Sequence, residues 1–154
     1  MVGIPRRGER LTEGLPPAEF GFPRTDLRRR LVEAILRGEK TSTTGLLSDY
    51  ERDGDPLPRI GERFRLIDER DRAVGIIETT EVWVTTIGQV DLAFAIDEGE
   101  GFTSVDEWRV AHEAFWLSYA DETRAWLNDP GWRPTADTKI VCERFRLIEP
   151  PAVS

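Results

Sequence analysis

From position 26 onward, apolar residues return at steps of three and four: Leu27, Leu31, Ala34 and Ile35. That spacing lines one face of a helix, and Gly38 supplies its stop. Lys40 and the hydroxyl run Thr41, Ser42, Thr43, Thr44 therefore leave the helix at its C-terminal end, where the dipole favours a cation. The next twenty positions break the period. Asp53-Gly54, Pro56, Pro58 and Gly61 read as a long loop carrying Tyr50, and ordered loops of that length are commonly lids or binding loops. Residues 63–68 and 73–87 then turn rich in Val, Ile and Thr, which predicts two strands joined by a hairpin turn at "DERDRA". The second run is too long for one flat strand and is expected to bend near Thr79 to Glu81. Asp91 is placed to cap a short helix holding Leu92 and Ala95. Ser104 and Glu107 form a capping box ahead of a helix whose Trp108, His112, Phe115 and Tyr119 share an inward stripe. A further turn or two through "DETRAWL" ends at Asn128, Asp129, Pro130 and Gly131, and "TKIVCERFRLI" (138–148) reads as the final strand. Helix, strands, helices, strand is the order of an α+β domain around a small sheet or barrel.

Residues 1–25 are rich in Pro, Gly and Arg and read as an N-terminal arm that covers part of the core with Phe20 and Phe22; residues 26–150 form the single domain. A length of 154 residues suits one core, and 39% apolar with 32% charged residues is globular composition. One cysteine excludes an internal disulfide, and one histidine beside it argues against a zinc site. No apolar run approaches a bilayer span and the N-terminus lacks a signal-type apolar stretch, so the expected setting is cytoplasmic, without a membrane partner. The net charge of −8 counts against a broad grip on a phosphate backbone. The charge is uneven, however. Arg6, Arg7, Arg10, Arg24, Arg28, Arg29, Arg30, Arg37 and Lys40 crowd the first quarter, while Asp97, Glu98 and Glu100 gather later.

Four stretches carry a family likeness: "GEKTSTTG" (38–45), "LPRIGERFRLID" (57–68), "AIDEGEGFTSVDEWRVAHEAFW" (95–116) and "VCERFRLI" (141–148). Together they resemble ASCH-domain proteins, a PUA-like group implicated in RNA biology, and most of all its bacterial subgroup of about this length. The resemblance implies a small β-barrel with flanking helices. It also implies two activities. One member of similar length is a metal-stimulated ribonuclease on single-stranded RNA; shorter members are amidohydrolases that remove the acetyl group of N4-acetylcytidine. Those use a lysine, a threonine three residues later and a glutamate, which carry over to Lys40, Thr43 and Glu98. They have an arginine where this chain has Gly45, a departure at a substrate-anchoring position. The expectation is an ASCH-type hydrolase of single-stranded RNA. The alternatives are an amidohydrolase of N4-acetylcytidine-type nucleosides and a non-catalytic reader of RNA or modified nucleotides.

The chemistry of the trio admits two versions. A neutral Lys40 would be the general base for attack by Thr43. A charged one would stabilise an oxyanion or phosphate while Glu98 activates water, and a carboxylate nearby favours this second version. Thr41 and Thr44 are the neighbouring candidates for substrate contact. Trp83, on a strand, is the candidate for stacking a base, Tyr50 for closing over it, and His112, the sole imidazole, for a polar contact. No cofactor is required by this chemistry; Mn²⁺ or Mg²⁺ on the oxygens of Asp97, Glu98 and Glu100 is what the ribonuclease version would add.

Overall fold

A computed structural model describes residues 14–148. The basic positions Arg6, Arg7 and Arg10 lie outside the described residues.

The first strand, β1 (Pro17–Ala18), pairs in parallel with the third through Arg65 and Leu66. Helix α1 (Asp26–Leu36) follows, with the Thr25 hydroxyl accepting from the Arg28 backbone amide as its cap. Arg28 itself is buried and donates to the carbonyls of Phe20 and Gly21, which fastens the lead-in segment against the helix. The hydroxyl run is not a loop. Ser42–Leu46 form β2, an edge strand paired antiparallel with the C-terminal strand. Nor is the following stretch structureless, since Leu47–Asp53 form helix α2, which ends at Gly54 in the left-handed conformation. Strands β3 (Arg63–Ile67) and β4 (Ala73–Thr86) make the expected hairpin, and the register of β4 shifts between Thr79 and Glu81, the place of the expected bend. Helix α3 (Leu92–Asp97) is capped by the Asp91 carboxylate, 2.8 Å from the Phe94 amide. Helix α4 (Val105–Leu117) is capped by Ser104, and the Glu107 carboxylate turns back to Thr103 rather than to Ser104. Helix α5 (Ala120–Leu127) stops at Asn128 with positive φ, and β5 (Lys139–Ile148) closes the chain.

The sheet runs β1-β3-β4-β5-β2, with every pairing after the first antiparallel. It is open. The expected barrel is not closed: β1 and β2 stand at opposite edges with no ladder between them among the described residues. Closure needs tilted strands long enough to continue the register around the ring, and β1 has only two residues.

Side-chain alternation along β5 divides the interior in two. Ile140 and Cys142 pack with Leu46, Phe94, Ala95, Trp108 and Trp116 under α3 and α4. Phe145 packs with Phe20, Val32, Ile35, Leu66 and Ile77 under α1. In α4 the residue that fills the core beside Trp108 is Trp116, whereas Phe115 and Tyr119 stay half-buried and meet the ring of Phe22 at 5.1 and 5.8 Å. No helix among the described residues is long and apolar enough to cross a membrane.

Candidate active site

Past α1 the chain turns sharply, because the amides of Glu39 and Lys40 both donate to the Ala34 carbonyl. The Thr41 amide then donates to the Asp97 carbonyl at 2.7 Å, which joins the start of β2 to the end of α3. Gly99 makes that junction possible. Its φ is +71°, and a Cβ there would stand 2.6 Å from backbone atoms of Glu39 and Lys40. Two chain segments distant in sequence therefore touch, and Glu98 is delivered to Lys40. The Lys40 ammonium donates to the Ser42 carbonyl at 2.8 Å and lies 3.7 Å from Glu98 Oε1. Their side chains are 2% and 1% exposed.

The other Glu98 oxygen accepts from the Trp108 indole N–H and lies 2.8 Å from His112 Nε2. His112 Nδ1 sits 2.8 Å from the Trp108 carbonyl. A carbonyl only accepts, so Nδ1 carries a hydrogen. A second proton then has to lie between Nε2 and the carboxylate. His112 also stacks on Trp108, with ring centres 4.3 Å apart. Burial alone would raise the Glu98 carboxyl, but Lys40, His112 and Trp108 outweigh it and hold the group below the ordinary carboxylate range. Burial likewise pushes the His112 imidazole down, and the charge and hydrogen bond of Glu98 reverse this to a raised value. A raised imidazole stabilises the fold fully below the unfolded value of 6.5, and that contribution is lost as pH rises through the folded value. NMR titration of this single imidazole is expected to give a midpoint above 6.5 in the wild type, and a lower one in Glu98→Gln.

Ligand atoms of Glu98, Glu100 and His112 all lie within 4.8 Å of one another, the spacing a metal ion would need. The donor set does not fit a resident dication. Both Glu98 oxygens already serve the indole, the imidazole and the Lys40 ammonium, and a cation at 3.7 Å opposes a second one on the same carboxylate. Asp97, expected to join Glu98 and Glu100, instead bonds Arg144 Nη1 at 2.7 Å.

As a strand, the hydroxyl run cannot line a single wall. Ser42 faces α3, its hydroxyl donating to the Phe94 carbonyl. Thr44 points the same way and pairs across the ladder with Cys142, with its Oγ1 buried on that face. Thr43 and Gly45 face the α1 side, and Thr41 contributes through its backbone, accepting from the Phe145 amide. Thr43 is half-buried, one residue from the carbonyl that anchors Lys40. Tyr50 belongs to α2, and its ring covers Gly45, so that a Cβ at 45 would meet it at 3.2 Å. A side chain at position 45 would therefore have to displace that ring. Trp83 lies across from Cys142 and therefore on the face away from Thr43. It is 36% exposed and borders a separate concavity of about 260 Å³ with Gln89, Phe94 and Arg144.

One residue at the site escaped the sequence reading. Glu143 is directly opposite Thr43, buried, and accepts from the Thr79 hydroxyl at 2.7 Å. The available signal was an acid set inside the apolar run from Ile140 to Phe145.

An open mixed sheet with α1 on one face and α3 and α4 on the other, and a buried Lys–Glu–His cluster where its edge strand begins, defines an α+β domain built around a polar centre. The chain belongs to the ASCH domain family, whose model matches residues 19–149. The ASCH domain from Lactobacillus crispatus JV V101 is 26% identical, with a TM-score of 0.72 over 94% of this chain and 86% of that one. Protein EF3133 from Enterococcus faecalis V583 is also 26% identical, with a TM-score of 0.71 over 84% and 74%. No curated protein matches the chain.

Proposed function

We propose that the protein is a hydrolase of acylated cytosine-type nucleosides, cleaving the amide on the exocyclic nitrogen. The observation that carries this reading is the depth of the Lys40–Glu98 pair, almost wholly removed from solvent. On this reading a flat base approaches the buried centre edge-on, a geometry that does not suit a continuous polynucleotide strand held along its backbone. The ion pair favours the charged role of Lys40. Glu98, held as a carboxylate, takes a proton from water as the water oxygen bonds to the acyl carbon. Lys40 N–H stabilises the oxyanion that forms on the carbonyl oxygen. The carbon–nitrogen bond then breaks, the proton passes from Glu98 to the leaving exocyclic nitrogen, and the products are the free nucleoside and the carboxylic acid. Thr43, beside the anchor of Lys40, hydrogen-bonds the reacting group.

A second reading, single-stranded RNA as substrate or ligand, draws on the exposed Trp83 face beside Arg144. Purified protein assayed side by side separates the readings. N4-acetylcytidine is expected to yield cytidine with or without chelator, at a rate lowered by roughly 10²-fold or more in Lys40→Ala. Shortening of RNA in added Mn²⁺ that Glu98→Gln abolishes would replace the amidohydrolase with the ribonuclease. Salt-sensitive binding of intact RNA with no turnover of either substrate would leave a reader.

A further inference from the structure

Glu143 stands opposite Thr43 in the β2–β5 register, and directly opposed residues of an antiparallel pair hold their Cβ atoms about 5 Å apart. Its side chain is 8% exposed, and no ion pair reaches it among the described residues. Oε1 accepts from the Thr79 hydroxyl at 2.7 Å. Oε2 has no hydrogen-bond partner among the described residues, yet it is not one of the sealed, unpartnered atoms. It therefore keeps some contact with solvent and is free to bond an incoming group. Phe20 lies 5.8 Å from Lys40 Nζ and 5.7 Å from the ring of Phe145, the next residue of β5 on the Glu143 face. Lys40, Thr43 and Glu143 are thus gathered on one side of the sheet. Burial pushes the Glu143 carboxyl upward, against the Thr79 bond and the charge of Lys40.

The geometry points to Glu143 as the residue that selects the substrate, by pairing with the hydrogen-bonding edge of a cytosine-type base whose exocyclic amide is presented to Lys40 and Glu98. This deepens the function proposed above and rests on it. Thr79 fixes the order of the two oxygens: Oε1, already accepting, remains an acceptor, and in the complex with the base Oε2 carries the carboxyl's proton and donates it. A cytosine edge offers the complement, a ring-nitrogen acceptor beside an exocyclic N–H, and acylation leaves that N–H in place. Uracil presents a donor and an acceptor in the reverse order. Glutamine reproduces the acceptor–donor pair of the protonated acid; leucine offers neither.

The test is calorimetric binding of cytidine and uridine to wild type, Glu143→Gln, Glu143→Leu and Thr79→Val, with hydrolysis of N4-acetylcytidine measured in parallel. Wild type and Glu143→Gln are expected to prefer cytidine. Glu143→Leu should bind it about 10- to 100-fold more weakly and raise KM more than it lowers kcat. Thr79→Val should narrow the cytidine preference. Glu143→Leu binding cytidine like wild type, or Glu143→Gln being as impaired as Glu143→Leu, would overturn the assignment. Should Glu143→Leu fail to fold, an unchanged cytidine preference in Thr79→Val overturns it instead. Glu143-dependent cytidine binding without hydrolysis refutes the reaction and keeps the recognition; hydrolysis indifferent to Glu143→Leu does the reverse. A wild type that binds neither nucleoside ends both.

Discussion

Glu98→Gln is expected to abolish turnover and to weaken the fold in the same protein. The amide keeps the shape and can still accept from the Trp108 indole, but it takes no proton from water and balances neither Lys40 nor His112. Removing one member of a buried ion pair costs about 3–5 kcal/mol, chiefly because the other charge is left unpaired. Loss of a general base costs about 10²–10⁴ in rate. The two effects part with pH. A carboxyl held below its ordinary value contributes stability that is present above the unfolded value of 4.5 and is lost as pH falls through the folded one. The wild type should therefore lose its advantage over the variant in acid. On the alkaline side, the His112 contribution fades as pH rises through its own raised value. Melting curves of both proteins across pH, with turnover at neutral pH, check each part. A variant that turns over substrate at the wild-type rate would remove Glu98 from the chemistry.

Gly99→Ala should disable the site without altering any group that does chemistry. The added methyl meets main-chain atoms of Glu39 and Lys40 at 2.6 Å, and φ is +71°. A left-handed non-glycine residue costs about 1–2 kcal/mol, and a clash with backbone, which cannot rotate aside, adds about 1–3 kcal/mol. Relief of that clash moves the two segments apart, and Lys40 and Glu98 with them. Gly101→Ala is the control. Its φ is +85°, but among the described residues nothing lies within 4 Å of the new methyl, so only the conformational cost applies and turnover should persist. Stability and kcat measured for both variants decide the matter. Equal loss of activity in the two would show that close approach at Gly99 is not what assembles the pair.

The chemistry of the centre was visible in the chain to an uneven degree. Lys40, Thr43 and Glu98 came from motif likeness, and the Lys40–Glu98 contact is present at 3.7 Å. His112 stands out in the sequence as the only imidazole, yet nothing in its spacing from Glu98 signals that one carboxylate holds both it and Trp108. Thr44 is a candidate through its hydroxyl and Trp83 through its aromatic face, and strand alternation puts both on the face away from Thr43.

What the sequence determined by itself is local. Helical spacing from Leu27 to Ile35, the caps at Asp91 and Ser104, and the β-branched runs of β4 and β5 each depend on neighbours a few positions away. The tertiary structure decided what depends on distant partners. Ser42–Leu46 became a strand because β5, about a hundred residues later, offers it a ladder. Glu143 became a site residue because that register sets it against Thr43, and the sheet stayed open because β1 is too short to carry the pairing around. Backbone hydrogen bonds between remote segments have no local signature in composition or period, so the fold alone states them.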